Sequence, residues 1–454
     1  MQGLKKTTNN FEEDDWGGDS RGREGEGREG GLREGGLREG GLREGGLREG
    51  KSTGVEGTQS YVIQDWEDEN LNLDEKLIRG IFSAGFEKPS PIQKKACYAM
   101  IHGKRSPDKV LEKDEHLSDV IGQAQSGTGK TGCFVTSVLQ IINEKEQKIQ
   151  SLIMAPTREL ASQIEKNVKL LGNYMNIDCA LLIGGEPLDE NRRKLEKNPH
   201  IIVGTPGRVL DCFRRRYIPT GCINLLVLDE ADEMLSAGFK EQIYDIFEFL
   251  PKDVRVGLFS ATMPPELEEL TRKFLRTPIK ILVKADMLTL EGIAQYKVQL
   301  STDKMKLETL IDIFENLNIN QSIIYCNSVE RCEDLYYAML DEKFPVRCIH
   351  RKLTQAERTA THAGFIRGEF RVLIATDIYA RGIDVQQVQY VVNFDVPRSP
   401  HTYLHRIGRS GRWGRKGIAI NFVNRQDYQK IKSIEEYYHT EVQDMPMNYN
   451  DHLK

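Results

Sequence analysis

The 454-residue sequence has no apolar run near the roughly 20 residues that a membrane-spanning helix needs, and its polar start does not read as a secretory leader. Its eight cysteines fall at 97, 133, 179, 212, 222, 326, 332 and 348. They show neither CxxC spacing nor a paired histidine framework, which argues against a zinc site or a disulfide scaffold and for a reducing compartment. Excess positive charge is also missing: 63 Lys and Arg face 68 Asp and Glu, a net charge of -5. The chain is therefore not coated in positive charge, and any nucleic-acid contact must be a local groove. The expectation is a soluble chain without a membrane partner, monomeric alone, in the cytoplasm or also the nucleus, and long enough for two or three domains.

Low-complexity sequence comes first. Residues 21 to 50 read RGREG, EGREG and then GLREG four times, too rich in glycine for a helix and too poor in apolar surface to pack. Every Arg there but Arg21 has a Glu beside it, so this tail is either a near-neutral spacer or a weak RNA contact. From Tyr61 onward, "DVIGQAQSG", "SLIMAPTREL", "CALLIGG", "HIIVGTPGR", "LLVLDEAD" and "VRVGLFSAT" are short apolar runs that end in polar turns, separated by amphipathic stretches. The pattern restarts with "QSIIYCNS", "VRCIH", "RVLIATD", "YVVNFDVP" and "GIAINFV". Buried parallel strands alternating with helices are the simplest reading. The predicted organisation is a disordered tail over 1–60, an α/β domain over 61–283, a linker over 284–294 and a second α/β domain over 295–454. In open sheets of this kind, ligands bind beyond the carboxyl ends of the strands, where nearly all these polar clusters fall.

"AQSGTGKT", Ala124 to Thr131, follows an apolar run and opens a helix-compatible one. Backbone N–H groups of Gln125, Ser126, Gly127, Thr128 and Gly129 would cradle phosphates, Lys130 would neutralise their oxygens, and the Thr131 hydroxyl would face Mg²⁺. The strict phosphate-loop pattern asks for Gly where Ala124 stands, which points to a helicase-type loop. "LLVL" then delivers Asp229 and Glu230 at a strand end, expected on a strand adjacent to that of the loop. Asp229 suits a Mg²⁺ ligand acting through water, and Glu230 a base for an attacking water. In "HRIGRSGRWGR" the arginines at 406, 409, 412 and 415 recur every three residues. Alone, that stretch reads equally as a backbone-gripping patch or as half of a phosphoryl-transfer site.

These motifs, together with "PTREL", "TPGR", "SAT" and "ARGID", resemble those of a DEAD-box RNA helicase, in that family's order from about residue 61 to the end. "LVLDEADEMLSAGFKEQIYDIF", "ILVKADMLTLEGI" and "DMPMN" are similar to the initiation factor four-A subgroup, which holds a translation factor and its exon-junction relative; "YCNS", "GRSGR" and "DMPMN" lean toward the latter. The resemblance implies two tandem RecA-like domains and an ATP-dependent, RNA-stimulated enzyme using Mg²⁺. It implies that "GFEKPSPIQ" takes the adenine through Phe86 and Gln93 and that Asp384 reaches the ribose. Trp66 stands near an upstream aromatic of that motif, but two residues further away than usual, so a core Trp is the safer reading. Pro156, Thr157, Arg158, Gly184, Gly185 and the segment from Thr205 to Arg208 would line RNA on the first domain. Gln355, Arg358 and Thr376 would do so on the second. Ser260, Thr262, His405 and Arg406 would couple the two sites, and Arg409 and Arg412 would reach the γ-phosphate. Two departures stand out: the segment from Gly103 to Ser118 is longer than the family's connection, and Arg351 replaces a usual glycine. A helicase in translation initiation and an ATP-gated RNA clamp in a messenger-RNA assembly, each with protein partners, use the same residues.

Overall fold

The structure, a computed structural model, describes residues 61–103, 118–124, 127–282, 293–316, 321–380, 388–410 and 417–446. The repeat tail, most of the insertion and of the linker, and the candidate site residues Gln125, Ser126, Asp384 and Arg412 lie outside the described residues.

Two parallel seven-stranded sheets carry the chain. The first holds β1 (Val120–Gln123), β2 (Ser151–Met154), β3 (Cys179–Leu182), β4 (Ile201–Gly204), β5 (Leu225–Leu228), β6 (Arg255–Ser260) and β7 (Ile279–Leu282), in the order β3-β4-β2-β5-β6-β1-β7. The second holds β8 (Ile293–Gln299), β9 (Ser322–Tyr325), β10 (Val346–Ile349), β11 (Val372–Ala375), β12 (Tyr390–Asn393), β13 (Gly417–Val423) and β14 (Gln443–Asp444), in the order β10-β11-β9-β12-β13-β8-β14. Every quoted apolar run forms its strand. The second sheet takes up the chain already at Ile293, two residues inside the segment read as linker.

The central strands are buried throughout and mostly apolar, because both faces of each sheet are covered. Along β2, Ile153 packs into one core cluster while Leu152 and Met154 pack into the opposite one. In β9, Ile323 and Tyr325 face one layer and Ile324 the other. Trp66 is 1% exposed within the first of these clusters, so it is a core residue, as its spacing suggested. Arg351 is exposed and its backbone has no positive φ, so the turn takes an arginine without strain.

The sheet order corrects one expectation. The strands before Lys130 and Glu230 are not adjacent, because β6 lies between β1 and β5. Three neighbouring strands end together, placing the phosphate loop, Ser260 and Asp229 side by side at one sheet edge.

Candidate active site

The phosphate loop leads into the helix Lys130–Ile141, whose first turn offers unbonded backbone N–H groups and the positive end of the helix dipole. Gly129 caps that helix at φ 99°, and an added Cβ would lie 2.7 Å from Ser90 Oγ and 2.9 Å from Gln93 Nε2. Only glycine satisfies both constraints. The loop is thereby seated on the adenine motif. Gln93 Nε2 donates to the Gly129 carbonyl at 3.1 Å, while its Oε1 accepts from Ser90 N in a capping box on the helix Pro91–His102. Phe86 is half-buried against the core beneath. Lys130 is buried, donates to the Ala124 carbonyl at 2.8 Å and stands 4.0 Å from Glu230 Oε1. Thr131 follows it, half-buried in the first helical turn.

At the end of β5, Asp229 and Glu230 are both nearly enclosed. Glu230 adopts φ 51° and ψ 49°, a left-handed backbone that a non-glycine residue rarely takes and that concentrates at functional sites. Burial, and then the neighbouring Glu230 charge, push the Asp229 carboxyl well above the carboxylate range, with Lys130 opposing. A raised folded-state pKa in a carboxyl group costs stability progressively as pH rises from about 4 upward through that pKa. Asp229→Asn is therefore expected to stabilise the metal- and nucleotide-free protein by about 1 kcal/mol at pH 8 and by much less at pH 5, while ATP turnover disappears. Thermal melts at the two pH values, run in chelator, check this.

The coupling residues meet here. The Thr262 hydroxyl donates to Asp232 Oδ2 at 2.6 Å, and Ser260 Oγ donates to the Thr262 carbonyl at 2.7 Å. From the second lobe, His405 brings Nε2 to 3.6 Å from Asp232 Oδ2 and Nδ1 to 4.0 Å from Glu230 Oε2. Among the described residues, Glu230, Asp232 and His405 are the group whose ligand atoms crowd within 4.8 Å. Arg406, expected to reach across the interface, does not. Its guanidinium bonds Asp377, Asn393, Asn327 and the Asp395 carbonyl, all within its own lobe. Arg409, 1% exposed, lies in the turn after the helix Pro400–Ile407, with Nε donating to the His405 carbonyl at 3.2 Å.

A second cross-lobe group lies among the residues expected to line RNA. Arg158 Nη1 donates to Gln355 Oε1 at 3.2 Å, and Arg358 Nη2 donates to the same oxygen at 2.6 Å. Glu159, within "PTREL" but assigned no role from the sequence, pairs with Arg358 at 3.2 Å. Arg158 lies against the two glycines. Gly185 has φ 91°, and a Cβ there would come 2.6 Å from Arg158 Nη1. Burial, and then the nearby Arg358 charge, lower the Arg158 pKa, with Arg208 adding to the effect. Crowded cations of this kind suit an anion such as a phosphate backbone. Thr376 fits the same use, since its buried hydroxyl has no hydrogen-bond partner among the described residues. The other residues expected to line RNA also hold positions in the scaffold. Thr157 caps the helix Arg158–Leu171, Pro156 is buried before it, Thr205 stands at the start of the helix Pro206–Arg214, and Arg208 bonds Asn191 and the Glu186 carbonyl.

Comparison with known proteins decides the family. Residues 90–270 match the DEAD/DEAH box helicases, and residues 305–414 match the helicase conserved C-terminal domain. The chain is 48% identical to eukaryotic initiation factor 4A of Caenorhabditis elegans over 397 residues, 87% of this chain and 95% of that protein. This chain belongs to the DEAD-box helicase family. The helicase also resembles S. cerevisiae Dbp5 bound to RNA and ADP BeF3, with TM-score 0.76, 32% identity, and coverage of 85% of this chain and 97% of that one. Mss116p bound to ssRNA and AMP-PNP matches with TM-score 0.73 and 25% identity, over 83% of this chain and 77% of that one. The helicase is thus an RNA-dependent ATPase on two RecA-like domains.

Proposed function

We propose that this helicase closes its two lobes over ATP and single-stranded RNA, hydrolyses ATP with Mg²⁺, and locally unwinds or remodels RNA in cytoplasmic translation initiation. The observation that carries the reading is His405 of the second lobe standing within 4.0 Å of the Glu230 and Asp232 carboxylates. A site completed by both lobes can respond to RNA bound in the same cleft.

The donor set suits the expected metal. Thr131 and Asp229 are oxygen ligands, as Mg²⁺ prefers, and the Asp229 carboxyl sits buried beside a like charge that a divalent cation would offset. Bound there, Mg²⁺ would neutralise phosphate charge. The chain's own residues do the rest. Phe86 and Gln93 hold the adenine and Asp384 the ribose. Gln125 to Gly129 and Lys130 hold the phosphates, while Glu230 orients and deprotonates the attacking water. Arg158, Gly184, Gly185, Gln355, Arg358 and Thr376 hold the RNA backbone, which carries little sequence information, so substrate choice is loose. The likeness to eukaryotic initiation factor 4A supports the translation role and protein partners in an initiation complex.

Because contacts of this kind read 2′-hydroxyls, RNA should stimulate ATP turnover much more strongly than DNA of matching sequence. Steady-state ATPase assays with the two polymers test the reading. Equal stimulation by both would count against it.

A further inference from the structure

A buried chain of hydrogen-bonded side chains runs from Arg406 across the second sheet, and none of its other members belongs to the site described above. Arg406 Nη1 donates to Asn393 Oδ1 at 3.2 Å. Asn393 Nδ2 donates to Asn421 Oδ1 at 2.8 Å, the two residues lying opposite each other on β12 and β13. Asn421 Nδ2 donates to the Tyr296 carbonyl at 2.9 Å and to the Tyr403 hydroxyl at 3.3 Å. Tyr403 donates to Gln295 Oε1 at 2.8 Å, and Gln295 Nε2 donates to Thr440 Oγ1 at 3.2 Å. Arg406, Asn393, Asn421 and Tyr403 are all 0% exposed.

An asparagine amide has two ends of nearly equal shape, one accepting and one donating. The end that Asn393 turns toward Arg406 is decided by its neighbours. Asn421 holds the carbonyl end there, because its own polarity is fixed by the Tyr296 carbonyl. Without Asn421, the Asn393 N–H loses its acceptor in a dry interior, and the side chain turns to find another, which draws Oδ1 away from the guanidinium. Neither an unpaired amide nor a guanidinium N–H without its acceptor is cheap there. The consequence reaches the cleft, since Arg409 N bonds the Arg406 carbonyl at 3.2 Å and Arg409 Nε bonds that of His405.

We propose that Asn393 and Asn421 are positioning residues for ATP hydrolysis: the amide pair fixes Arg406, and through it the helix end that holds His405 against Glu230 and Asp232 and the turn that presents Arg409 to the nucleotide. This rests on the assignment of Arg409 to the γ-phosphate. Arg409→Ala is the control: turnover surviving in that variant overturns the Arg409 assignment and this proposal with it. When the control loses turnover, the amide variants test the pair by itself.

The test uses the full chain at saturating RNA, with ATP varied. Asn421→Leu, close in shape but without hydrogen bonds, should lower kcat about tenfold to a hundredfold, the effect of disturbing one bond to a charged group. KM for ATP and nucleotide-free RNA affinity should stay within about twofold, because the first lobe supplies most nucleotide contacts. Adding Asn393→Asp should then restore kcat. A carboxylate offers Arg406 an acceptor whichever way it is turned, so it needs no neighbour to set its polarity. Tyr403→Phe removes one hydroxyl and should lower kcat about two- to fivefold, again restored by Asn393→Asp. That milder pair carries the test if Asn421→Leu does not fold. A kcat equal to the parent's in the folded variants, or a loss that Asn393→Asp leaves in place, overturns the proposal and makes the pair a fold-stabilising contact only.

Discussion

Glu230→Gln is expected to keep ATP and RNA bound while stopping hydrolysis, with a loss in kcat of about 10²- to 10⁴-fold. The substitution is isosteric, so the side chain can still fill its enclosed place between Lys130 and His405. What it loses is the ability to take a proton from water. The left-handed backbone at Glu230 costs on the order of 1–3 kcal/mol, and glutamine keeps that conformation and its strain. Trapping on RNA in the presence of ATP, measured beside turnover, separates this outcome from a folding defect. A variant that hydrolyses ATP like the parent would show that the base lies elsewhere.

Arg409→Ala and Arg412→Ala are expected to abolish turnover, by roughly 10³- to 10⁵-fold for a group that neutralises charge building on the transferred phosphoryl. The first lobe supplies the phosphate loop, a carboxylate for the metal and a base, but its motifs bring no arginine to the γ-phosphoryl. A planar guanidinium donating two hydrogen bonds suits phosphoryl oxygens. Nucleotide-free RNA binding should stay near the parent's value in both variants, and Arg415→Ala should be mild. RNA affinity measured without nucleotide is the companion readout. Weakened RNA binding with intact turnover at saturating RNA would make the arginine-rich stretch a backbone patch instead.

Much of this site could be read in the sequence because phosphate chemistry needs particular residue types at strand ends, where apolar runs stop abruptly. "LLVL" before Asp229 and "DVIGQ" before the phosphate loop both became strands at the expected places. What could not be read was lateral. No local signal shows that β6 lies between β1 and β5, since strand order depends on which helices cover which face. The strands β7, β8 and β14 escaped for a different reason. β14 spans two residues, and β8 reads "IAQYKVQ", too polar for a buried run. The pairing of Glu159 with Arg358 and the Asn393–Asn421 amide pair were equally invisible, being contacts between residues far apart in the chain whose types suit ordinary surfaces. Arg406 shows the limit of motif reasoning most clearly: its position in "HRIGR" suggested a role across the cleft, yet its four partner residues belong to its own lobe.

The central claim is that hydrolysis waits for a site built from both lobes around RNA. Single-turnover hydrolysis of prebound ATP by the unmodified chain, with and without saturating single-stranded RNA, tests it most directly. The account predicts that RNA raises the rate of the hydrolytic step itself and that Arg409→Ala removes this increase; a rate of that step indifferent to RNA would contradict it.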